Sequence, residues 1–247
     1  MNVLITGVGR GLGQALCLSF LGEGHAVWGI SRSDSFFVPQ NLENYSYSRC
    51  DISNEEEVNT LFSSNIDRVK SLDLVVLNAG SMEDDIIDGQ FSFDNFKKVF
   101  QINLEAQVRL VQLVLPYFHQ KRGGMFIGIS SLASKRAICK NKIAYASSKA
   151  ALNMAFESFR IQLARSGIKF KIVNSGPLKA DVEREFDGLG ATSYQKMARK
   201  ILSFKDKRSN ILNYPWLIHL TYVLSIFFKD NFLSQLLSIL PKESKRK

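Results

Sequence analysis

Val3-Leu4-Ile5-Thr6 is a short apolar run that opens into Gly7-Val8-Gly9-Arg10-Gly11-Leu12-Gly13, and helical periodicity follows over 11–21. A strand that passes into a helix this way must reverse within a few residues, and glycine is the residue that permits it. Backbone N–H groups at the start of such a helix face an open turn, where the helix dipole favours an anion such as a pyrophosphate. The spacing differs from that of the commonest dinucleotide fingerprint. The turn alone therefore fits a purely structural role as well. Its position at the first strand–helix junction favours a bound dinucleotide.

The alternation continues along the chain. Strands are predicted over 26–30, 45–50, 72–77, 125–130, 168–174 and 210–213, with helices over 54–62, 93–120, 144–165 and 194–204. Asn54 is a candidate N-cap followed by three glutamates, and the 93–120 helix is expected to be bent or interrupted. Strands separated by helices imply right-handed βαβ crossovers and a parallel sheet covered on both faces. The expected fold is a doubly wound α/β sheet with its ligand at the carboxyl ends of the strands. The 247 residues suit one such domain, and 45% hydrophobic with 22% charged residues is ordinary for a folded chain.

The end of the second strand bears on which dinucleotide fits. An acid there would hold a ribose 2′-hydroxyl; this chain has Ser31-Arg32, with Arg10 in the glycine turn and the nearest acid, Asp34, three residues late. An arginine pairs with a 2′-phosphate where an acid would repel it, so NADP is preferred to NAD. The alternative is that both arginines are solvated surface residues.

Tyr145 and Lys149 stand at i and i+4, on one face of the predicted 144–165 helix. A nearby ammonium favours a phenolate, which makes the pair a candidate proton donor and acceptor. Just upstream, Ser130-Ser131 ends a buried strand, where a hydroxyl can meet a substrate oxygen.

With these residues the chain resembles the short-chain dehydrogenase/reductase family, in its single-domain branch. The matches are Thr6, Gly7, Gly11 and Gly13 in the glycine turn, Asn78-Ala79-Gly80, Asn103, Ser131, and Tyr145 with Lys149, all within residues 3–181. The resemblance implies a Rossmann-type fold and a carbonyl reductase or alcohol dehydrogenase. Tyr145 would be the general acid or base, Lys149 would lower its pKa and hold the nicotinamide ribose, Ser131 would polarise the carbonyl, and Asn103 would order a water. Cofactor contacts would come from Thr6, Gly7, Arg10, Gly11, Leu12, Gly13, Ser31, Arg32, Asp51, Ile52, Asn78, Ala79, Gly80, Tyr145, Lys149, Ser175 and Gly176, with Asp51 and Ile52 beside the adenine. The family also implies a homodimer or homotetramer through the 93–120 and 144–165 helices. The chain departs from the family in three places. The Ser131–Tyr145 spacing is one residue longer than is common, leaving Ser130 as a second candidate. Ser175-Gly176-Pro177 replaces the usual Pro-Gly. Ala180 stands where a threonine commonly meets the carboxamide.

The net charge of +9 is concentrated at the end of the chain. From Tyr194 to Lys247 there are 11 Lys+Arg against 3 Asp+Glu, and residues 1–193 hold 21 against 20. That argues against a general nucleic-acid binder and for a local basic surface. A catalytic domain over 1–208 is expected, with an apolar and basic extension over 209–247. Residues 209–228 carry no charge, and Phe232–Leu240 is again apolar before the basic Lys242–Lys247. The extension could pack on the active site or a partner, lie on a membrane surface, or span a membrane. Neither the three cysteines nor the three histidines have metal-ligand spacing. No basic, apolar leader follows Met1, so a cytoplasmic protein is expected, with peripheral contact to the inner membrane face if the extension meets lipid. The substrate stays open among small ketones, acyl groups, lipids, lipid-linked sugars and sugar nucleotides, in a pocket built by 178–193 including Phe186 and Leu189. A non-catalytic NADP-binding sensor and a membrane-associated scaffold are the alternative readings.

Overall fold

The structure, a computed structural model, describes residues 1–33, 43–137, 139–179 and 191–227. Asp34, Ala180, Phe186, Leu189, Phe232–Leu240 and Lys242–Lys247 lie outside the described residues.

The chain runs β1 (Asn2–Thr6), α1 (Gly11–Gly22), β2 (Ala26–Ser31), β3 (Tyr45–Arg49), α2 (Glu55–Ser64), α3 (Ile66–Ser71) and β4 (Leu74–Leu77). A small hairpin of β5 (Ile86–Ile87) and β6 (Gln90–Phe91) precedes α4 (Phe93–Phe100), a π-helical turn (Gln101–Glu105) and α5 (Ala106–Lys121). Then come β7 (Gly124–Ser131), a 3₁₀ turn (Leu132–Ser134), α6 (Ile143–Gln162), β8 (Ile168–Ser175), β9 (Leu178–Lys179) and β10 (Thr192–Ser193). The described chain ends with α7 (Tyr194–Phe204), β11 (Ile211–Tyr214), α8 (Trp216–Leu224) and a second 3₁₀ turn (Ser225–Phe227).

Seven strands form one parallel sheet in the order β11-β8-β7-β4-β1-β2-β3. This is the doubly wound Rossmann-type α/β fold, with its switch point between β1 and β4. The strands alternate, so each supplies both faces. Leu4, Trp28, Val75, Phe126 and Phe170 point to the layer of α2, α3, α5 and α6, while Val3, Ile5, Val76, Ile127 and Val173 meet α1 and α7. On the first face Phe118, Phe126, Phe156 and Phe170 form a ladder of ring contacts.

Local signals hold where they have a local cause. Asn54 caps α2, its Oδ1 accepting from the N–H groups of Glu56 and Glu57. The expected 93–120 helix is interrupted at the π-helical turn. The seventh strand, β11, belongs to the C-terminal segment, so that segment begins inside the sheet and not beyond it. Lys171 of β8 is buried, and its ammonium donates to the carbonyls of Phe204, Lys207 and Ser209, closing the end of α7. No helix among the described residues is long and apolar enough to cross a membrane.

Candidate active site

A cleft of about 600 Å³ opens at the carboxyl ends of β1, β2 and β4. Its floor is the glycine turn. Gly13 packs so closely that an added Cβ would stand 2.0 Å from the Gly7 carbonyl oxygen. Thr6 is buried and does not face the cleft; its Oγ1 accepts from the N–H groups of Asn78 and Ala79, which ties β1 to the loop after β4. Asn78 returns the tie by donating to the Thr6 carbonyl. Gly7, Arg10, Leu12, Gly13, Ser31, Arg32, Asp51, Ile52, Asn78, Ala79 and Gly80 all line the cleft. Gly11 turns the other way, with positive φ, against the Tyr194 ring. Ser175 and Gly176 pack instead at the β8–β11 edge, where the Gly176 N–H donates to the Tyr214 carbonyl.

Nothing on α1 competes for its first N–H groups: Arg10 is the extended N-cap residue with no side-chain cap, and the first turn holds no acid. Gly9 leaves room that a Cβ would fill, since one would stand 2.7 Å from Ser33 Oγ. Arg10 and Arg32 stand at the rim with Ser31 and Ser33, and Arg32 lies 3.8 Å from the Asp51 carboxylate. Gly9, Ser33, Cys50 and Ile102 also line the cleft. Their sequence signal is only adjacency to the motif residues.

The second cluster is next to the cleft. The Tyr145 hydroxyl stands beside Ser131, whose side chain favours the ionised phenol. Ser131 Oγ also accepts the Ala133 N–H across the 3₁₀ turn, which fixes its rotamer. Ser130 is on the other side of β7, donating to the Lys149 carbonyl, so the serine beside the tyrosine is Ser131. Lys149 is buried, and its ammonium donates to the Ile129 carbonyl at 2.8 Å. An atom at the Cβ position of Gly80 would lie 3.4 Å from Lys149 Nζ and 3.1 Å from Asn103 Oδ1, so both groups converge on that glycine.

The π-helical turn brings Asn103 in. Its Nδ2 donates to the Ser81 carbonyl and to Ser148 Oγ, and its Oδ1 accepts the Ser81 N–H. Both amide hydrogens are used, so a water bonded by this side chain would have to be the donor. Gln107, one turn on and also buried, donates to the carbonyls of Ala79 and Ile102.

Burial sets the electrostatics. It pushes the Tyr145 phenol above its ordinary value, and the Ser131 hydrogen bond works against that. It brings the Lys149 ammonium down from 10.5 to about 8. The resemblance implied that the lysine lowers the tyrosine. Here the Ser131 side chain lowers it, and the Lys149 ammonium donates to the Ile129 carbonyl.

Two contributions escape the sequence. Asp85, fully buried before β5, accepts the N–H groups of Ile143 and Ala144 at 3.0 and 2.5 Å and so caps α6 just ahead of Tyr145. Tyr222 of α8 is in electrostatic reach of Tyr145 and Cys139, and burial pushes its phenol up to about 12. No group of residues that could hold a metal ion is found among the described residues.

A family model described as short chain dehydrogenase matches residues 1–188. The 3-oxoacyl-(acyl-carrier-protein) reductase FabG of Rickettsia typhi is 31% identical over 203 residues, 80% of each chain. L-fucose dehydrogenase of Bos taurus is 28% identical over 177 residues, which are 70% of this chain and 64% of that one, so the chain spans less than two thirds of that relative. A short chain dehydrogenase from Burkholderia cenocepacia J2315 in complex with NADP shares the fold at a TM-score of 0.78 and 19% identity, over 97% of this chain and 98% of that one. With its glycine turn, its Asn-Ala-Gly loop and the Ser131–Tyr145–Lys149 cluster on one sheet edge, the chain belongs to the short chain dehydrogenase family.

Proposed function

We propose that the protein is an oxidoreductase that uses NADP(H) to interconvert a ketone and a secondary alcohol, with reduction the favoured direction. The observation that carries this reading is the half-buried Tyr145 phenol beside Ser131, next to a cleft floored by the glycine turn. The cleft suits a dinucleotide phosphate: uncapped N–H groups at α1, space kept by Gly9 and Gly13, and Arg10 and Arg32 at the rim near two serine hydroxyls. When bound, the nicotinamide supplies or accepts the hydride.

The chain's own residues do the rest. Ser131 receives the Ala133 N–H, which leaves its proton for Tyr145 or for a carbonyl oxygen. The raised phenol stays protonated at neutral pH, the form a reduction requires, and gives its proton to the developing alkoxide. Lys149, cationic below about pH 8, favours the phenolate left behind. Asn103 and Gln107 fix the loop after β4 against the helices and act as positioning residues. We propose also that Ile143, Met154 and Ile161, exposed on one stripe of α6, meet a second copy in a homo-oligomer, which the mass in solution checks.

The test is NADPH oxidation over a panel of carbonyl compounds. Tyr145→Phe should lower kcat by about 10²–10⁴-fold while NADPH still binds. Undiminished turnover in that variant sinks the assignment. Saturable NADPH binding with no Tyr145-dependent turnover on any compound points to the sensor reading.

A further inference from the structure

Helix α8 is the wrong way out for a helix of a water-facing surface. Trp216, Leu220, Val223 and Leu224 follow a spacing of i, i+4, i+7 and i+8, which is one helical face, and the 3₁₀ turn that follows adds the exposed Ile226 and Phe227. That face is the exposed one: Trp216 is 59% and Phe227 82% accessible, and the helix has no fully buried residue. Leu217, Ile218, His219 and Tyr222 are half-buried behind it, and Thr221 is exposed. Ser225 of the following 3₁₀ turn is buried, Tyr222 lies in electrostatic reach of Tyr145, and His219 in that of Lys135. The helix root is held to the body through the Gly176 N–H and the Tyr214 carbonyl at 2.8 Å, so the apolar face is displayed on a fixed support.

Charge decides what covers it. The segment from Tyr194 to Lys247 carries 11 basic and 3 acidic residues, a surplus of +8. A second copy of the same chain would bring an equal surplus of the same sign. A surface of anionic lipid complements it and also takes up the apolar side chains. The chain continues past α8 through Phe232–Leu240 to Lys242–Lys247, an apolar and then basic sequence of the same character. We infer that α8 docks the protein on an anionic lipid surface through Trp216, Leu220, Val223, Leu224 and Phe227. The inner side of the helix then stands between the lipid and Tyr145, so the substrate class is a carbonyl compound or alcohol carried in the bilayer. The substrate half of this inference rests on the oxidoreductase reading above; the docking half does not.

The experiment is flotation of the full chain with vesicles of phosphatidylcholine alone and of phosphatidylcholine mixed equally with phosphatidylglycerol, needing no turnover. The protein should float with the anionic vesicles and stay behind with the neutral ones. Raised salt should weaken binding. The emission of Trp216 should shift to the blue on docking, against the constant signal of the buried Trp28. The double variant Leu220→Glu with Leu224→Glu should lose at least tenfold in vesicle affinity while NADPH binding is retained, which shows the fold is intact. Equal flotation with both vesicles, or with neither, overturns the inference. So does a doubled mass in solution that reverts in the double variant, which would assign the face to a second copy. Trp216 emission already blue without lipid, with no flotation, would assign it to the chain's own C-terminal residues and overturns it too. For the substrate half, turnover of a long-chain ketone should rise on adding anionic vesicles in the parent and not in the double variant; a rate unaffected by vesicles in the parent rejects it even where docking holds.

Discussion

Replacing Asp85 by alanine should both destabilise the protein and slow it. The carboxylate is fully buried and accepts two N–H groups of the first turn of α6, Ile143 at 3.0 Å and Ala144 at 2.5 Å. Those donors have no intrahelical partners, as at any helix start. The helix's own N-cap residue, Lys142, supplies no side-chain cap, so the cap comes from a residue far away in sequence. Losing an N-cap costs about 0.5–2 kcal/mol, and a hydrogen bond to a charged group contributes about 1.5–3 kcal/mol. Ala144 is itself buried, so water does not readily replace the lost acceptor. A loss of about 3 kcal/mol in unfolding free energy is expected for Asp85→Ala. Asp85→Asn keeps one acceptor but turns an NH₂ toward the second N–H, and should lie between. Urea unfolding reads this as a lower midpoint at unchanged slope. Because Tyr145 is the next residue along α6, kcat should fall in Asp85→Ala while KM for NADPH holds. A change in stability within about 0.5 kcal/mol of the parent, the range of ordinary surface substitutions, would falsify the capping argument.

Gly13→Ala would place a Cβ 2.0 Å from the Gly7 carbonyl oxygen, so NADPH binding measured by fluorescence should be lost, with a lower thermal midpoint. Arg32→Ala should reduce the preference for NADPH over NADH by about tenfold, the scale of one solvent-exposed charge-assisted contact, read as the ratio of kcat/KM values. Lys149 titrates near 8 in the fold and at 10.5 when exposed, so the unfolded chain holds the extra proton between those values and stability rises with pH across that window. Lys149→Met should flatten that rise, which is about 1.4 kcal/mol per pH unit at its steepest. Denaturation midpoints of parent and variant compared from neutral to alkaline pH would show it, and parallel curves would refute it.

What could be read from the sequence is what local chemistry dictates. Runs such as Leu74–Leu77, apolar at every position, must be strands buried on both faces, and Tyr145 with Lys149 had to share a face once their helix was recognised. The choice between Ser130 and Ser131 could not be made, because adjacent strand residues point to opposite faces and only the packing of α6 says which is which. Asp85 left no sign, since its partners are 58 and 59 residues away. The β5–β6 hairpin has a local signal, since Asp88-Gly89 is a two-residue turn pair and both residues take positive φ. The reach of Tyr222 to Tyr145 depends on how α8 leaves the sheet, which no periodicity encodes.

The order of strands has a consequence for how the chain is made. Counting outward from β1, each later strand adds to an edge that is still open: β2 and then β3 on one side, β4, β7, β8 and β11 on the other. No strand has to be inserted between two already paired. A chain emerging from the ribosome can therefore extend its sheet step by step without undoing earlier pairs. Until Tyr214 has emerged, however, β8 presents Phe170, Ile172 and Val173 on an unprotected edge. The interval between synthesis of β8 and of β11 is thus one in which the nascent chain shows an apolar strand with an open edge, and in which a chaperone has something to offer it.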